Sequence, residues 1–146
     1  MDSDKTFNVY TDGACSGNPG KGGWGVYIEN QDCNFELNGG EINTTNNRME
    51  LQAVIEALKY FQSKSDLKIY TDSKYVMNGI NDWIKNWKIN NWKTANKKPV
   101  KNKDLWIILD DLVVQHNVEW NWVKGHSGHL GNEKADYLAT SAINEL

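Results

Sequence analysis

The sequence predicts an α/β fold, a mixed β-sheet with helices on its faces, and two observations carry this prediction. Near residue 48 the pattern changes from short stretches rich in aromatic and β-branched residues to apolar residues at helical spacing. Beyond that point strand patterns alternate with helical ones, so the order along the chain is β-β-β-α-β-α-α-β-α. Elements in this order build a sheet whose faces are covered by helices.

Five strands and four helical segments are predicted. Short gaps separate the first three strands, which is typical of an antiparallel meander. Glycine and proline cluster within 13–25, which indicates a turn between the first two strands, and Gly39-Gly40 indicates a bulge or bend in the third. The strands are placed at 7–11, 24–29, 35–42, 67–71 and 118–123, and the helices at 48–62, 73–88 (one helix or two, broken near Gly79), 104–115 and 132–146.

Length and composition limit the class of protein. The 146 residues fit a single domain over 1–146, and two cysteines, Cys15 and Cys33, do not make a disulfide scaffold. The polar N-terminus has no apolar signal segment, and no apolar run reaches the roughly 18 residues of a membrane span. We therefore expect a soluble, reduced, cytoplasmic protein without a membrane partner, and a monomer because no heptad repeat is present.

The charge is distributed unevenly along the chain. The net charge is −3, yet 83–103 contains seven of the sixteen basic residues and no acidic residue. Lysines contact nucleic-acid phosphates without reading sequence, and binding of this kind weakens as salt increases. The alternative is a solvated basic face. Trp83, Trp87 and Trp92 interleave with these lysines, and the helical spacing of the first two favours packing over base stacking.

Two aspartates end matching strand segments. Val9-Tyr10-Thr11-Asp12 closes the first predicted strand and Ile69-Tyr70-Thr71-Asp72 closes the fourth. If these strands are parallel neighbours in register, about 4.8 Å apart, their carboxylates repel unless a proton or a cation lies between them. Mg²⁺ prefers such oxygen ligands. The alternative is that each aspartate only caps a turn or a helix.

Two more acids lie near helix starts. Glu50 heads the apolar stripe of the helix at 48–62, and Asp136 borders the apolar face of the last helix. Each could instead face solvent beside the positive end of its helix. With Asp12 and Asp72 they form a set that could hold two metal ions, which together stabilise the attacking and leaving oxygens in phosphodiester cleavage.

A glycine-spaced loop, 124–131, joins the last strand to the last helix and contains His126 and His129. His126 could transfer protons near neutral pH. Zinc is disfavoured because no cysteine or third histidine lies nearby and the four acids suit a harder ion. The alternative is a pair of exposed loop histidines.

Four segments, in order and spacing, resemble the type 1 ribonuclease H family over nearly the whole chain. They are Thr11-Asp12-Gly13-Ala14-Cys15-Ser16-Gly17-Asn18-Pro19-Gly20, Thr44-Thr45-Asn46-Asn47-Arg48-Met49-Glu50-Leu51, Thr71-Asp72-Ser73-Lys74-Tyr75-Val76, and Val123-Lys124-Gly125-His126-Ser127-Gly128-His129 followed by Gly131-Asn132-Glu133-Lys134-Ala135-Asp136. Each segment alone is weak, whereas four in order are highly specific.

The resemblance implies a ribonuclease-H-like fold, a five-stranded mixed sheet of order 3-2-1-4-5 with helices on both faces. It implies an endonuclease that hydrolyses the RNA strand of RNA–DNA hybrids by two-metal-ion catalysis and leaves 5′-phosphate and 3′-hydroxyl ends. The implied cofactor is Mg²⁺, two ions per active site in the substrate complex, with Mn²⁺ as an alternative. A single-stranded-DNA-binding protein is a partner by resemblance only.

The resemblance also implies residue roles. Asp12, Glu50, Asp72 and Asp136 are the expected metal ligands and catalytic acids, and His126 is expected to assist proton transfer or product release. The expected substrate contacts divide among residues near the cut, residues that hold a DNA-strand phosphate, and the basic protrusion, 83–103, that grips the DNA strand. They are Cys15 (through its backbone), Asn18, Asn46 and Asn47; then Thr45 and Asn86; then Trp87 and Lys88 within the protrusion.

The chain departs from the family pattern at two places. Lys74 stands where many bacterial members have an uncharged amide, which puts the substrate contacts there in doubt. Ile89-Asn90-Asn91 makes the protrusion less basic than is usual. We therefore expect weaker or more salt-sensitive hybrid binding with the chemistry intact. The chain resembles the freestanding form of the family, without an N-terminal hybrid-binding module.

Three other functions compete with this one. Integrases and junction resolvases share the broad fold and also place acids at strand ends, but the histidine loop and the basic protrusion fit them poorly. A non-catalytic hybrid-binding module has no need for all four acids. A purely structural domain leaves the repeated Tyr-Thr-Asp unexplained.

Overall fold

The computed structural model describes residues 6–125 and 129–146. Five strands form one mixed sheet of order β3-β2-β1-β4-β5, which confirms the predicted fold. β1 pairs antiparallel with β2 and β2 with β3, whereas β1–β4 and β4–β5 are parallel. The strands are β1 Thr6–Gly17, β2 Gly20–Glu29, β3 Asn34–Thr44, β4 Asp66–Thr71 and β5 Asn117–Trp122.

Helices cover both faces of the sheet. They are α1 Asn46–Tyr60, α2 Lys74–Asn78, α3 Ile84–Ile89, α4 Lys103–Val113 and α5 Leu130–Asn144, and a π-helical turn, Gly79–Trp83, joins α2 to α3. Alternate residues of β1 face opposite ways: Val9 packs in the core beneath α1 and α4, and Tyr10 packs against Ala135 of α5. The central strand is therefore buried on both sides.

The main core lies between the sheet and helices α1 and α4. Because α1 repeats apolar side chains at helical spacing, one of its faces is fully buried while Gln52 and Glu56 remain on the other. Thr45 caps its start by accepting a hydrogen bond from the Arg48 backbone N–H at 3.2 Å. The buried contributors are Val9, Val26, Ile28 and Ile69 from the strands, Leu51, Val54, Ile55 and Leu58 from α1, and Leu105, Trp106 and Leu109 from α4.

The glycine-rich stretch forms strand rather than the predicted turn across 13–25. β1 continues to Gly17 and β2 begins at Gly20, so the turn is confined to the residues between them. The physical reason is packing: helix α5 lies so close to β2 that its positions 23 and 25 have no room for a side chain. The register shift in β2–β3 also lies elsewhere, between Gly20 and Gly22, whereas Gly39 and Gly40 pair regularly.

Gly79 does not break the helix at 73–88. The backbone stays helical from Lys74 to Ile89 and widens into the π turn at Gly79. A Cβ on Gly79 would lie 2.0 Å from the Trp106 ring, so glycine allows that ring to pack against the helix. The last helix begins at Leu130, two residues before its predicted start.

The basic protrusion is anchored by aromatic packing. Trp83, Trp87 and Trp92 form a chain of rings with centroids 5.7 and 6.2 Å apart, and Trp87 also contacts Trp106 of α4 at 5.5 Å. Beyond Trp92 the chain turns back through a bridge between Lys93 and Pro99. The tryptophans therefore hold the lysine-rich segment against the core.

No helix within the described part of the chain is both long enough and apolar enough to span a membrane.

The Tyr75 hydroxyl ties the end of the protrusion to α2. It accepts hydrogen bonds from Asn102 Nδ2 and from Trp106 Nε1, each at 3.0 Å, and Trp106 is 0% exposed. Tyr75→Phe leaves the buried indole N–H without a partner, so we expect a loss of about 1–3 kcal/mol in the free energy of unfolding, measured by urea denaturation. Tyr137→Phe, at a side chain 70% exposed, is the matched control, and equal stability of the two variants would contradict the assignment.

Candidate active site

Two strand ends bring the first two acids together. β1 and β4 run parallel with Thr11 opposite Thr71, so Asp12 and Asp72 follow at adjacent positions on the same edge of the sheet. Asp12 is still within β1 and lies opposite Gly25 of β2, and it is only 5% exposed. The repeated Tyr-Thr-Asp therefore corresponds to neighbouring carboxylates.

Helix α1 adds the third acid. Glu50 lies one turn from the helix start on the face turned toward the sheet and is 7% exposed. One carboxylate oxygen from each of Asp12, Glu50 and Asp72 lies within 4.8 Å of the other two. Within 6–125 and 129–146 this is the one group of three or more acid, histidine or cysteine ligands so placed.

Asp136 lies at the side of this cluster. It is half-buried on α5, and its carboxyl group lies within hydrogen-bonding reach of Asp12. It is not one of the three residues whose oxygens fall within 4.8 Å of one another. The structure therefore brings all four predicted acids to one edge of the sheet, three of them close together and the fourth next to Asp12.

Burial and mutual repulsion keep the cluster from carrying its full negative charge. Burial, and then the charges of Glu50, Asp72 and Asp136, raises the pKa of Asp12 from 3.8 to about 10. Burial and the charge of Asp72 raise the pKa of Glu50 from 4.5 to about 8. Carboxylate oxygens are the ligands that hard divalent cations prefer, and a cation would offset the repulsion among these acids, so the residues present fit such an ion.

Two residues that the sequence did not single out support Glu50. The Gly13 backbone N–H and the Ser73 hydroxyl hydrogen-bond to its carboxylate, and both lower its pKa against the larger opposing effects. Ser73 also caps α2 by accepting from the Val76 N–H at 3.1 Å. In the sequence, the only indication of a role for Ser73 is that a small polar residue directly follows the strand-end Asp72. Its contact with Glu50 depends on long-range packing.

Only the flanks of the histidine loop can be placed, because His126 lies outside the described residues. Before it, Gly125 approaches Asp72 so closely that a Cβ would lie 2.9 Å from its Oδ2. After it, the His129 ring lies 5.2 Å from the ring of Tyr10 and 5.9 Å from that of Tyr70. Both flanks therefore contact β1, β4 or the residue that follows β4.

The predicted contacts near the cut meet at the start of α1. Asn18 Oδ1, from the β1–β2 turn, accepts a hydrogen bond from the Asn46 N–H at 3.2 Å. The Cys15 thiol lies 3.5 Å from the carbonyl oxygen of Thr44, which precedes the capping residue Thr45. Asn47 follows in the first turn of α1, three residues before Glu50. These amide and backbone groups thus share one end of α1 with the acid cluster.

The three candidates on α3 differ in their surroundings. Asn86 is exposed, whereas Trp87 is half-buried within the tryptophan chain. Lys88 forms an ion pair with Asp110 of α4 at 3.2 Å, so part of its charge is already compensated. Lys74, the departure at the start of α2, places its ammonium 5.7 Å from the centroid of the exposed Trp122 ring.

Comparison with known proteins gives consistent matches. The RNase H family model matches residues 4–144. The Ribonuclease H of Francisella philomiragia subsp. philomiragia is 62% identical over 138 residues, which are 94% of this chain and 91% of that protein. The crystal structure of LC9-RNase H1, described as a type 1 RNase H with the type 2 active-site motif, has a TM-score of 0.88 at 34% identity and covers 97% of this chain and 73% of that one.

A further solved structure, LC11-RNase H1 in complex with an RNA/DNA hybrid, shares the fold with a TM-score of 0.73 at 22% identity, over 95% of this chain and 97% of that one. The family match spans all five described strands and all four acids. On the strength of the family model and the 62% identical relative, this chain belongs to the ribonuclease H family of endoribonucleases.

Proposed function

We propose that this chain hydrolyses the RNA strand of RNA–DNA hybrids with divalent cations held by Asp12, Glu50, Asp72 and Asp136. The observation that carries the proposal is the convergence of three carboxylates within 4.8 Å in a chain 62% identical to a Ribonuclease H. The hybrid bound to LC11-RNase H1, which has the same fold, is the substrate class we assign here.

The cations are proposed to be two Mg²⁺ ions, with Mn²⁺ as an alternative. Bound to these acids, two ions supply activation of a water and stabilisation of the leaving 3′-oxygen, which leaves 5′-phosphate and 3′-hydroxyl ends. The contribution of the chain is to keep the acids desolvated and oriented, Glu50 by the Gly13 N–H and the Ser73 hydroxyl. His126, by resemblance, assists proton transfer or product release.

Substrate is proposed to bind along two surfaces. Cys15, Asn18, Asn46 and Asn47 contact the hybrid near the cut through amides and backbone groups, which can read the 2′-hydroxyl in a shallow minor groove. Thr45 and Asn86 hold a DNA-strand phosphate, and the basic protrusion, with Trp87 and Lys88, grips the DNA strand through phosphate contacts.

We further propose a monomeric single domain that works in the cytoplasm, with a single-stranded-DNA-binding protein as a partner by resemblance only.

The direct test is cleavage of an end-labelled RNA–DNA hybrid in Mg²⁺, beside single-stranded RNA, duplex RNA and duplex DNA. We expect cutting of the RNA strand of the hybrid alone. Asp12→Asn removes one charged ligand while keeping the shape of the side chain, so activity should fall by a factor on the order of 10² or more. Asp111→Asn, at an exposed acid of α4 away from the cluster, is the charge-matched control and should retain activity.

The products separate this proposal from its alternatives. A hybrid that binds but stays intact in both Mg²⁺ and Mn²⁺ would make the chain a binding module. Equal cutting of duplex DNA would favour an integrase-like or resolvase-like nuclease.

The raised pKa values of Asp12 and Glu50 predict how the cation-free protein responds to pH. The folded state keeps protons that the unfolded chain releases near pH 4. The stabilising contribution of these protons is therefore fully present below about pH 4. It is lost as pH rises through the folded pKa values, about 8 for Glu50 and about 10 for Asp12.

We expect the free energy of unfolding in EDTA to fall between about pH 5 and pH 9, by at most about 1.4 kcal/mol per pH unit for each proton. Asp12→Asn should flatten this dependence because the amide carries no charge, and Mg²⁺ should flatten it in the parent protein. Urea denaturation across a pH series measures both effects. The same slope in the parent and in Asp12→Asn would show that the cluster does not control it.

Ile89 and Asn90 are uncharged positions within the basic protrusion, so lysines there are expected to strengthen hybrid binding. Ile89, 80% exposed, ends α3, and Asn90 follows it in solvent, so neither substitution disturbs the core. Ile89→Lys with Asn90→Lys should lower KM for the hybrid at moderate salt and steepen log KM against log salt by about 0.9 for each new phosphate contact. Val114→Lys with Gln115→Lys adds the same charge at exposed positions after α4. If that control lowers KM equally, the protrusion is not the gripping surface.

A further inference from the structure

Two glycines adjoin Asp12 in the sheet, one along its own strand and one across from it on the neighbouring strand. Gly13 is the next residue in β1, and Gly25 is the residue paired with Asp12 across the ladder in β2. A Cβ on Gly13 would lie 2.4 Å from the Glu50 backbone nitrogen, so α1 touches the sheet there. Gly25 faces the opposite way, toward α5 and therefore toward the helix that carries Asp136.

The α5 backbone rests directly on Gly25. A Cβ built there would lie 2.3 Å from the carbonyl oxygen of Ala135 and 2.7 Å from the backbone nitrogen of Ala139. Both are main-chain atoms of a helix, so they cannot rotate away as a side chain can. Ordinary contacts of a Cβ begin near 3.4 Å, so any larger residue at this position must raise this turn of α5 by about 1 Å.

The raised turn is the one that carries the fourth acid. Asp136 directly follows Ala135, and its carboxyl group is within hydrogen-bonding reach of Asp12, the ladder partner of Gly25. Magnesium tolerates little variation in its distance to ligand oxygens, about 2.0–2.1 Å. A shift of about 1 Å in Asp136 is therefore large compared with what a shared cation can accommodate.

We infer that Gly25 is a positioning residue: it sets the height of α5 above the sheet and so holds Asp136 within reach of a cation bound to Asp12. This inference rests on the proposed function, in which Asp136 is a cation ligand. Gly25 acts through the position of the helix, whose main-chain atoms are its nearest neighbours. A larger residue at this position is therefore expected to lower cation affinity as well as to disturb packing.

Gly23 offers a matched control on the same strand. Its Cβ would lie 2.2 Å from the carbonyl oxygen of Ala139, again a main-chain atom of α5. It pairs with Ala14 instead of Asp12, and the helix atom it meets lies one turn beyond Asp136. Gly23→Ala thus imposes the same kind of clash on the same helix, farther from the fourth acid.

The test is a double-mutant cycle read by Mn²⁺ binding, without nucleic acid, in isothermal titration calorimetry. We expect Asp136→Asn to weaken Mn²⁺ affinity on the order of tenfold in the parent protein, and Gly25→Ala to weaken it by a similar factor. In the double variant Asp136→Asn should add little, because Gly25→Ala has already displaced the Asp136 carboxylate from the cation. In a Gly23→Ala background Asp136→Asn should keep its full effect, although Gly23→Ala also lowers the melting temperature.

Each outcome has a separate meaning. If Asp136→Asn leaves Mn²⁺ affinity unchanged in the parent, the proposed ligand role of Asp136 fails. The positioning inference alone is overturned if Asp136→Asn weakens Mn²⁺ binding as strongly in the Gly25→Ala background as in the parent. It is also overturned if Gly23→Ala removes the effect of Asp136→Asn as fully as Gly25→Ala does. Should Gly25→Ala not fold, Ala135→Val decides the question, because Ala135 is fully buried against Tyr10 and Tyr27 and a larger side chain there raises the same turn from the helix side.

Discussion

The parallel pairing of β1 with β4 is the constraint on which the rest of the site depends. With Thr11 opposite Thr71, Asp12 and Asp72 must follow side by side, and α1 then adds Glu50 from the other side of the edge. Asp12 and Glu50 are buried and Asp72 is half-buried beside them, so burial first and mutual repulsion second raise the pKa values of Asp12 and Glu50. The packing of β1, β4 and α1 holds the three acids together despite this repulsion, and their oxygens are the basis of the proposed divalent-cation site.

The acid cluster and the basic protrusion are structurally connected. Arg48, two residues before Glu50, forms a two-pronged ion pair with Asp104 at the start of α4, with N–O distances of 2.8 and 3.0 Å. The same guanidinium reaches Asn102, and Asn102 donates to the Tyr75 hydroxyl. The lysine-rich segment therefore ends on residues that also contact α1 and α2. In the proposed function, these contacts set the distance between a nucleic acid bound to the protrusion and the carboxylates.

The errors in the sequence prediction share one cause. Local propensity predicts a turn for the glycines between 13 and 25 and a helix break near Gly79, because glycine favours both. In the structure Gly23, Gly25 and Gly79 instead leave room for another element: α5 above Gly23 and Gly25, and the Trp106 ring beside Gly79. In each case the partner comes from a distant part of the chain, so local propensity cannot distinguish a flexible glycine from one required by close packing.

The sequence by itself determined the order of elements, the helical and strand faces, the four acids and the family, because apolar periodicity and motif order are properties of neighbouring residues. Only the tertiary structure decided how the acids interact: three within 4.8 Å and Asp136 beside Asp12. It also decided that Ser73 supports Glu50 and that Asp110 partly compensates Lys88. Distances, burial and pKa values depend on which distant segments meet, and those contacts exist only once the sheet and helices have packed together.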